Sequence, residues 1–127
     1  MRRVAVTDGM SNEAVKKLEQ AGCEVVEEFI EHDALISGAL ADFDAIIVRS
    51  ATKISKEMLQ KSQPRLKVVA RAGVGVDNID ISAASELGLP VVNAPRASTQ
   101  SVVELTVGHL LGSLRFIPRA DRSLRSG

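Results

Sequence analysis

Arginine follows three short apolar runs of the sequence, at Arg49, Arg71 and Arg96. If these runs are neighbouring strands of a parallel sheet, the three guanidinium groups lie along its carboxyl edge, where open α/β sheets bind their ligands. Guanidinium groups bind phosphate and carboxylate oxygens through paired hydrogen bonds. In the alternative interpretation, each arginine pairs with a nearby acid such as Asp77 or Asp80. The arrangement predicts a small anionic ligand, and for Arg49 we favour the ligand over the ion pair.

Two loops rich in small residues stand beside these arginines. Arg49 is followed by Ser50-Ala51-Thr52, a polar turn that can offer backbone N–H groups to an anion. Arg71 is followed, after one alanine, by Gly73-Val74-Gly75. Successive N–H groups of such a loop can form an anion-binding nest, and a sharp turn that requires positive φ would also explain the glycines. Asn78 stands where the dinucleotide fingerprint has its third glycine, so this loop alone does not predict a nucleotide site.

The elements that position these residues alternate between strand and helix patterns. We predict strands at 3–7, 24–29, 45–48, 66–70 and 90–93, with helices at 12–21, 33–40, 56–60 and 81–87 between them. Ser11, Ser55 and Asp80 are the predicted N-caps. Strands separated by helices predict a parallel α/β sheet with helices on both faces. Five such strands favour the flavodoxin-like order 2-1-3-4-5.

A last helix is predicted over residues 98–117. Ser101 and Glu104 match a capping box, which places the start of the helix near Ser101. Its apolar residues spread around the whole helix, so it needs cover from a second domain or a partner subunit. We therefore expect a homo-oligomer formed through this helix. Pro118 and the arginines after it predict an exit from the helix into a linker.

Composition excludes several classes of function. One cysteine, Cys23, and two histidines, His32 and His109, predict no metal site. Aromatic residues make up 2% of the chain, which disfavours a flavin or base-stacking platform. The net charge of zero argues against nucleic-acid binding. No segment has the length and character of a signal peptide or membrane span, and we expect a cytoplasmic protein that binds no membrane.

Four runs, at 48–53, 68–80, 88–95 and 101–108, together resemble the D-2-hydroxyacid dehydrogenase family. They contain R-S-A-T-K, R-A-G-V-G-V-D-N, G-L-P-V-V-N-A-P and S-V-V-E-L. The resemblance implies a flavodoxin-like substrate-binding domain over 1–97, and over 98–127 an interdomain helix and the start of a linker to an NAD-binding domain. The substrate-binding residues that it implies are Arg49, Ser50, Ala51, Arg71, Gly73, Val74 and Gly75. Relatives often have threonine at Val74, so Val74 is implied as a weak cofactor contact without a hydroxyl.

Within this family, the sequence is most similar to members that oxidise 3-phosphoglycerate to 3-phosphohydroxypyruvate with NAD, the first step of serine biosynthesis. The family's G-x-G-x-x-G, catalytic arginine, acid and histidine have no counterpart in these 127 residues. We therefore expect no catalytic residue here, a longer parent enzyme, and no activity from these residues alone. Arg96 has no counterpart in the family. The alternative is a stand-alone flavodoxin-like module that interacts or dimerises without catalysis.

Overall fold

Five short strands form one parallel sheet in the computed structural model, which describes all 127 residues. The strands are β1 (Arg2–Val6), β2 (Cys23–Glu27), β3 (Ala45–Val48), β4 (Val68–Arg71) and β5 (Val91–Asn93). Their order is β2-β1-β3-β4-β5 and every neighbouring pair is parallel. The predicted flavodoxin-like order is confirmed. The sheet belongs to the first of two units, Met1–Pro95, and the second unit is Arg96–Gly127.

Four helices connect the strands: α1 (Asn12–Gln20), α2 (His32–Ile36), α3 (Lys56–Lys61) and α4 (Ile81–Glu86). The three predicted N-caps are confirmed, because the side chains of Ser11, Ser55 and Asp80 accept hydrogen bonds from backbone N–H groups in the first turns of α1, α3 and α4. Such a bond satisfies a donor that the helix leaves free.

The predicted helix over 33–40 is wrong in its length. The helix α2 ends at Ile36, and the Ser37 hydroxyl donates a hydrogen bond back to the carbonyl of Asp33 at 2.7 Å. Gly38 then takes a left-handed conformation, with φ of 101°, and a short 3₁₀ helix follows at Ala39–Asp42. Glycine adopts this conformation without the steric cost that other residues meet, so it interrupts the helix.

The two faces of the sheet differ in how well they are covered. One face packs into the core, where Ile46, Val48 and Val69 are fully buried together with Met58 and Leu59 of α3. The opposite face carries the side chains that alternate with these along β3 and β4, and they are only half-buried. An open apolar groove runs along it, lined by residues including Ala45, Ile47, Val68, Ala70 and Val92 and bordered by Leu18 of α1.

The second unit consists of two helices, α5 (Thr99–Leu114) and α6 (Ile117–Ser126). The predicted end of this helix at residue 117 is wrong, because α5 ends at Leu114 and a second helix follows it. The break lies at Phe116, whose φ is 54°, and Pro118 falls in the first turn of α6, where its missing N–H costs nothing.

The predicted capping box at the start of α5 is also wrong. The helix begins at Thr99 after Ser98, one turn earlier than the box requires, and Ser101 is helical. The Glu104 carboxylate accepts a hydrogen bond from the side-chain amide of Gln100 at 2.7 Å and so does not act as a cap partner. None of the helices combines the length and apolar character needed to cross a lipid bilayer.

Candidate functional site

The first two of the three arginines lie side by side at the carboxyl edge of the sheet. Arg71 is the last residue of β4 and is aligned with Val48, the last residue of β3. Arg49 comes next in the chain, and the N–H of Ala72 donates to the carbonyl of Val48 at 2.8 Å, which continues the pairing beyond the strands. The carboxyl edge therefore holds two neighbouring cationic residues.

Neither Arg49 nor Arg71 forms a salt bridge within the chain. Arg49 is exposed, and the Nε atom of the half-buried Arg71 is buried without a hydrogen-bond partner. The suggested partners are not paired with them: Asp80 accepts the N–H of Ala83 as the cap of α4, and Asp77 forms no ion pair. The interpretation in which acids neutralise these two arginines is therefore wrong, and both guanidinium groups are available to an anion.

The turn after Arg49 is bound by Asp8, the second residue after β1. The Oδ2 atom of Asp8 accepts the backbone N–H groups of Arg49, at 2.6 Å, and Thr52, at 3.1 Å. Its Oδ1 atom accepts the hydroxyl of Thr52 at 2.5 Å. The N–H groups of Arg49 and Thr52 are therefore unavailable to a ligand, contrary to the expectation for this turn. The N–H of Ser50 forms no hydrogen bond within the chain.

These hydrogen bonds stabilise the ionised form of Asp8. Burial alone raises the pKa of the Asp8 carboxyl, but the Thr52 hydroxyl and the backbone N–H groups of Thr52, Arg49 and Ala51 together lower it further. The net pKa lies below the usual value for aspartate, so Asp8 is ionised at neutral pH. Its charge is met by neutral donors, which leaves the guanidinium group of Arg49 free.

Asn78 binds the same turn from its carbonyl side. The side-chain amide Nδ2 donates to the carbonyls of Arg49, at 2.8 Å, and Thr52, at 2.6 Å. Backbone hydrogen bonds also connect the two segments. The N–H of Ile54 donates to the carbonyl of Asn78, and the N–H of Asp80 donates to the carbonyl of Ile54. The residue that replaces a fingerprint glycine thus connects the loops that follow β3 and β4.

The glycines at 73 and 75 leave space for neighbouring side chains and are not required by a positive φ. Neither Gly73 nor Gly75 has a left-handed φ, so the interpretation that rests on positive φ is wrong. A Cβ atom at Gly73 would lie 1.6 Å from Nη1 of Arg71, because the arginine side chain passes across this glycine. At Gly75 it would lie 2.8 Å from the carboxylate of Asp77.

The end of β5 supports the same loop. The side-chain amide of Asn93 donates to the carbonyl of Val74 at 2.7 Å, and the N–H of Ala94 donates to that of Gly73 at 2.9 Å. The N–H of Gly73 is already bonded to the carbonyl of Arg71, so it does not contribute to an anion-binding nest. Val74 is 47% exposed and presents an apolar side chain.

Sequence reasoning missed three polar residues of this edge, namely Asp8, Asn78 and Asn93. A signal for Asp8 was present, because it follows a predicted strand as closely as the arginines do and parallel strands end at one edge. Ser50 and Ala51 are exposed in the turn, as the prediction requires. Arg96 belongs to the second unit, and its place at the edge stays a prediction.

A cleft of about 390 Å³ opens beside the ends of β1 and β2. Asp8, Gly9, Phe29 and Ala51 line it, but so do the acidic residues at 27 and 28, and no lysine or arginine does. An anion would be repelled there. The basic part of the edge, at Arg49 and Arg71, is the better candidate for an anionic ligand.

The chain as a whole is similar to known proteins. Residues 4–119 match the model of the D-isomer specific 2-hydroxyacid dehydrogenase, catalytic domain. The chain belongs to this family. It is 45% identical, over its whole length, to D-3-phosphoglycerate dehydrogenase of Methanocaldococcus jannaschii, of which it covers 24%. It is 41% identical over 98% of its length to hydroxypyruvate reductase of Thermotoga maritima, of which it covers 40%.

A solved structure of the family resembles the fold described above. The crystal structure of NAD⁺-bound 3-phosphoglycerate dehydrogenase from Entamoeba histolytica matches with a TM-score of 0.71 and 34% identity, over 87% of this chain and 38% of that one. The chain spans about a quarter of the length of the curated D-3-phosphoglycerate dehydrogenases that it matches. The 127 residues therefore correspond to one part of those dehydrogenases.

The loop at 73–75 does not fit a dinucleotide by itself. The loop at 73–75 lacks the third fingerprint glycine, its first N–H is bonded within the loop, and its exposed side chain is apolar. We therefore assign no step of hydride transfer to these residues. What the edge supplies is positive charge for an anionic group.

Proposed function

We propose that these residues bind the substrate of an NAD-dependent dehydrogenase that oxidises 3-phosphoglycerate to 3-phosphohydroxypyruvate, the first step of serine biosynthesis. One observation carries the proposal: Arg49 and Arg71 lie side by side at the carboxyl edge without acidic partners. 3-Phosphoglycerate has a phosphate and a carboxylate, so two guanidinium groups match its two anionic groups.

The proposed roles follow the resemblance to the 2-hydroxyacid dehydrogenase family. Arg49 binds the phosphate, with the exposed turn residues Ser50 and Ala51 beside it. Arg71 and the loop Gly73-Val74-Gly75 lie on the carboxylate side. Val74 is the one proposed contact of this chain with NAD, and it is apolar. Hydride transfer requires an acid–base group at the carbinol oxygen, and we assign that group to no residue of this chain.

A second candidate is an unphosphorylated 2-hydroxy acid. The observation that favours it is the 41% identity to a hydroxypyruvate reductase, which is close to the identity to the phosphoglycerate enzymes. Such a substrate has one anionic group and leaves one of the two arginines without a partner. The two candidates therefore differ in whether a phosphate strengthens binding.

Titration of the ¹⁵N-labelled chain tests the proposal and separates the candidates. 3-Phosphoglycerate should shift amide signals at 49–53 and 71–78, and glycerate, which lacks the phosphate, should shift them only at about tenfold higher concentration. Equal affinities would favour the unphosphorylated substrate. A spectrum that millimolar 3-phosphoglycerate and millimolar glycerate both leave unchanged would contradict both candidates and leave the non-catalytic module as the better interpretation.

We also propose that the chain belongs to a homo-oligomer that buries α5. The proposal rests on large apolar side chains that this helix exposes to solvent, with exposed fractions of 47–64%, at Val102, Val103, Leu105, Val107, Leu110, Leu111 and Leu114. A partner subunit would remove this surface from water. The arrangement of 98–127 as an interdomain helix and linker, and the cytoplasmic location, remain predictions from the sequence.

A further inference from the structure

We propose that Asp8 and Asn78 are positioning residues that together hold the Arg49–Thr52 turn, so that Arg49 presents its guanidinium group to the substrate phosphate from a defined place. The inference rests on the proposed function of the Arg49 site. We call these two side chains the clasp.

The clasp binds both ends of the turn with complementary chemistry. A carboxylate only accepts hydrogen bonds, and Asp8 accepts the N–H groups of Arg49 and Thr52. The amide of Asn78 donates to the carbonyls of the same two residues. Both polar groups of each peptide residue are thus occupied, at distances between 2.6 and 3.1 Å. The first and last residues of the turn cannot rotate without breaking one of these bonds.

The clasp also relates the two cations to each other. Asp8 follows β1, whereas Asn78 lies on the loop that begins at Arg71. The turn that carries Arg49 is therefore held between its two neighbouring strands of the sheet. Because the loop that carries Asn78 starts directly after Arg71, movement of the turn relative to Arg71 would stretch the bonds made by Asn78. A substrate with two anionic groups needs such a constant spacing between its two binding groups.

The clasp holds Arg49 by its backbone and leaves its side-chain charge free. Asp8 forms no salt bridge with the guanidinium group, although it accepts the N–H of the same residue. An acid that paired with the side chain would compete with the phosphate. The orientation of Asn78 agrees with this role: its Oδ1 atom is buried without a partner, while Nδ2 makes both bonds. A rotated amide would point oxygen at two carbonyls, which is repulsive.

The test compares Asp8→Asn and Asn78→Ala with Asp33→Asn, a matched change of an exposed acid in α2. Hydrogen exchange of the amides at 49–53 reports on the turn without ligand, and titration with 3-phosphoglycerate and glycerate reports on binding. We expect faster exchange at 49–53 alone, and an affinity for 3-phosphoglycerate about tenfold weaker in each clasp variant, since binding must then order the turn. The affinity for glycerate should change less than twofold, and Asp33→Asn should change neither.

A double-mutant cycle separates positioning from general destabilisation. In an Arg49→Ala background, Asp8→Asn should weaken 3-phosphoglycerate binding no further, because there is no guanidinium group left to position. Equal losses for both ligands, or an additive loss in that background, would overturn the inference. If one clasp variant does not fold, the other provides the same comparison.

The two proposals fail in different ways. If the unsubstituted chain does not bind 3-phosphoglycerate, the proposed function fails. Slow exchange at 49–53 that stays unchanged in Asp8→Asn and Asn78→Ala would overturn the clasp, whether or not the chain binds 3-phosphoglycerate. A chain that binds 3-phosphoglycerate equally well with and without the clasp would keep the proposed function and overturn only the positioning role.

Discussion

Arginines of this chain differ in what they contribute, although they are residues of one type. Arg49 and Arg71 have free guanidinium groups, whereas Arg3 pairs with Glu24 at 3.2 Å and Arg125 pairs with Asp121 at 3.0 Å. The Asp8 carboxylate accepts hydrogen bonds from neutral donors, namely the backbone N–H groups of Arg49 and Thr52 and the Thr52 hydroxyl. No acidic side chain forms a salt bridge with either guanidinium group, so both are free for a ligand that carries two or three negative charges.

Replacing Gly73 with alanine should displace Arg71 and weaken 3-phosphoglycerate binding about tenfold. The new Cβ would overlap the end of the arginine side chain, which is flexible and can move away. The backbone φ suits alanine, so the free energy of unfolding should change by less than about 1 kcal/mol. Titration and urea unfolding measure the two effects. Gly108→Ala in α5, where a Cβ meets no atom within 4 Å, is the control and should leave 3-phosphoglycerate binding unchanged. An affinity of Gly73→Ala equal to that of the unsubstituted chain would contradict the role of Arg71.

Acid should weaken the fold partly through Asp8. Burial raises the pKa of Asp8, but the hydrogen bonds from Thr52 and the neighbouring N–H groups outweigh it, so the folded pKa is below the unfolded one. The group therefore stabilises the fold fully above its unfolded pKa, and this contribution is lost as pH falls through the folded pKa, below about pH 4. The difference in unfolding free energy between the chain and Asp8→Asn, measured in urea, should shrink between pH 6 and pH 3. A difference that does not vary with pH would contradict this assignment.

The helices of the chain differ in whether a side chain caps their first turn. Side-chain caps mark the starts of α1, α3 and α4, and each cap leads out of a loop at or near the carboxyl edge. The start of α5 has no side-chain cap, although a serine and a glutamate stand at capping-box spacing three residues further on. The serine and glutamate of a capping box therefore mark a helix start only where the backbone before the serine is not already helical.

Removal of the Asp80 cap should destabilise the chain by about 1 kcal/mol, whereas Ser101→Ala should change stability by only a few tenths. Asp80 accepts the N–H of Ala83 at 2.9 Å, and loss of an N-cap costs about 0.5–2 kcal/mol. Ser101 is inside α5 and caps nothing. Urea unfolding of Asp80→Ala, with Asp80→Asn as the conservative control, measures the effect. A cost for Ser101→Ala as large as that for Asp80→Ala would restore the predicted capping box.

The whole molecule combines a well-packed first unit with a second unit that has little core of its own. Every residue of the second unit except Gly112 is exposed, including the large apolar side chains of α5. Exposed apolar area of this extent is typical of an interface. The sheet of the first unit likewise leaves one apolar face open. Burial of these apolar surfaces would be favourable for both units, because it removes them from water.

The chain should associate in solution through α5. Light scattering at tens of micromolar should report a dimer or larger species, and Leu105→Glu with Leu110→Glu should shift it toward a monomer because charge is costly to bury. Leu124→Glu in α6 is the matched control, since it introduces the same charge outside α5. A monomer in the unsubstituted chain with a folded α5, shown by circular dichroism, would contradict the proposed homo-oligomer.

The sequence was enough to predict the strand order, the caps at Ser11, Ser55 and Asp80, and the approach of Arg49 to Arg71. These features depend on hydrophobic periodicity, capping chemistry and the rule that parallel strands end together, all of which are local or topological. The break at Phe116 escaped prediction because it depends on a positive φ of 54° at a bulky residue, a conformation that such residues rarely adopt.

The pairing of polar groups at the edge becomes visible only in the folded chain. Asp8 reaches residues 41 and 44 positions away, and Asn78 reaches back 26 and 29 positions. The folded chain also shows that Gly73 makes room for an arginine side chain and that the N–H groups of Arg49 and Thr52 are already occupied. Residue types and spacing do not contain this information, because hydrogen bonds between loops depend on distances of a few tenths of an ångström that the packed sheet sets.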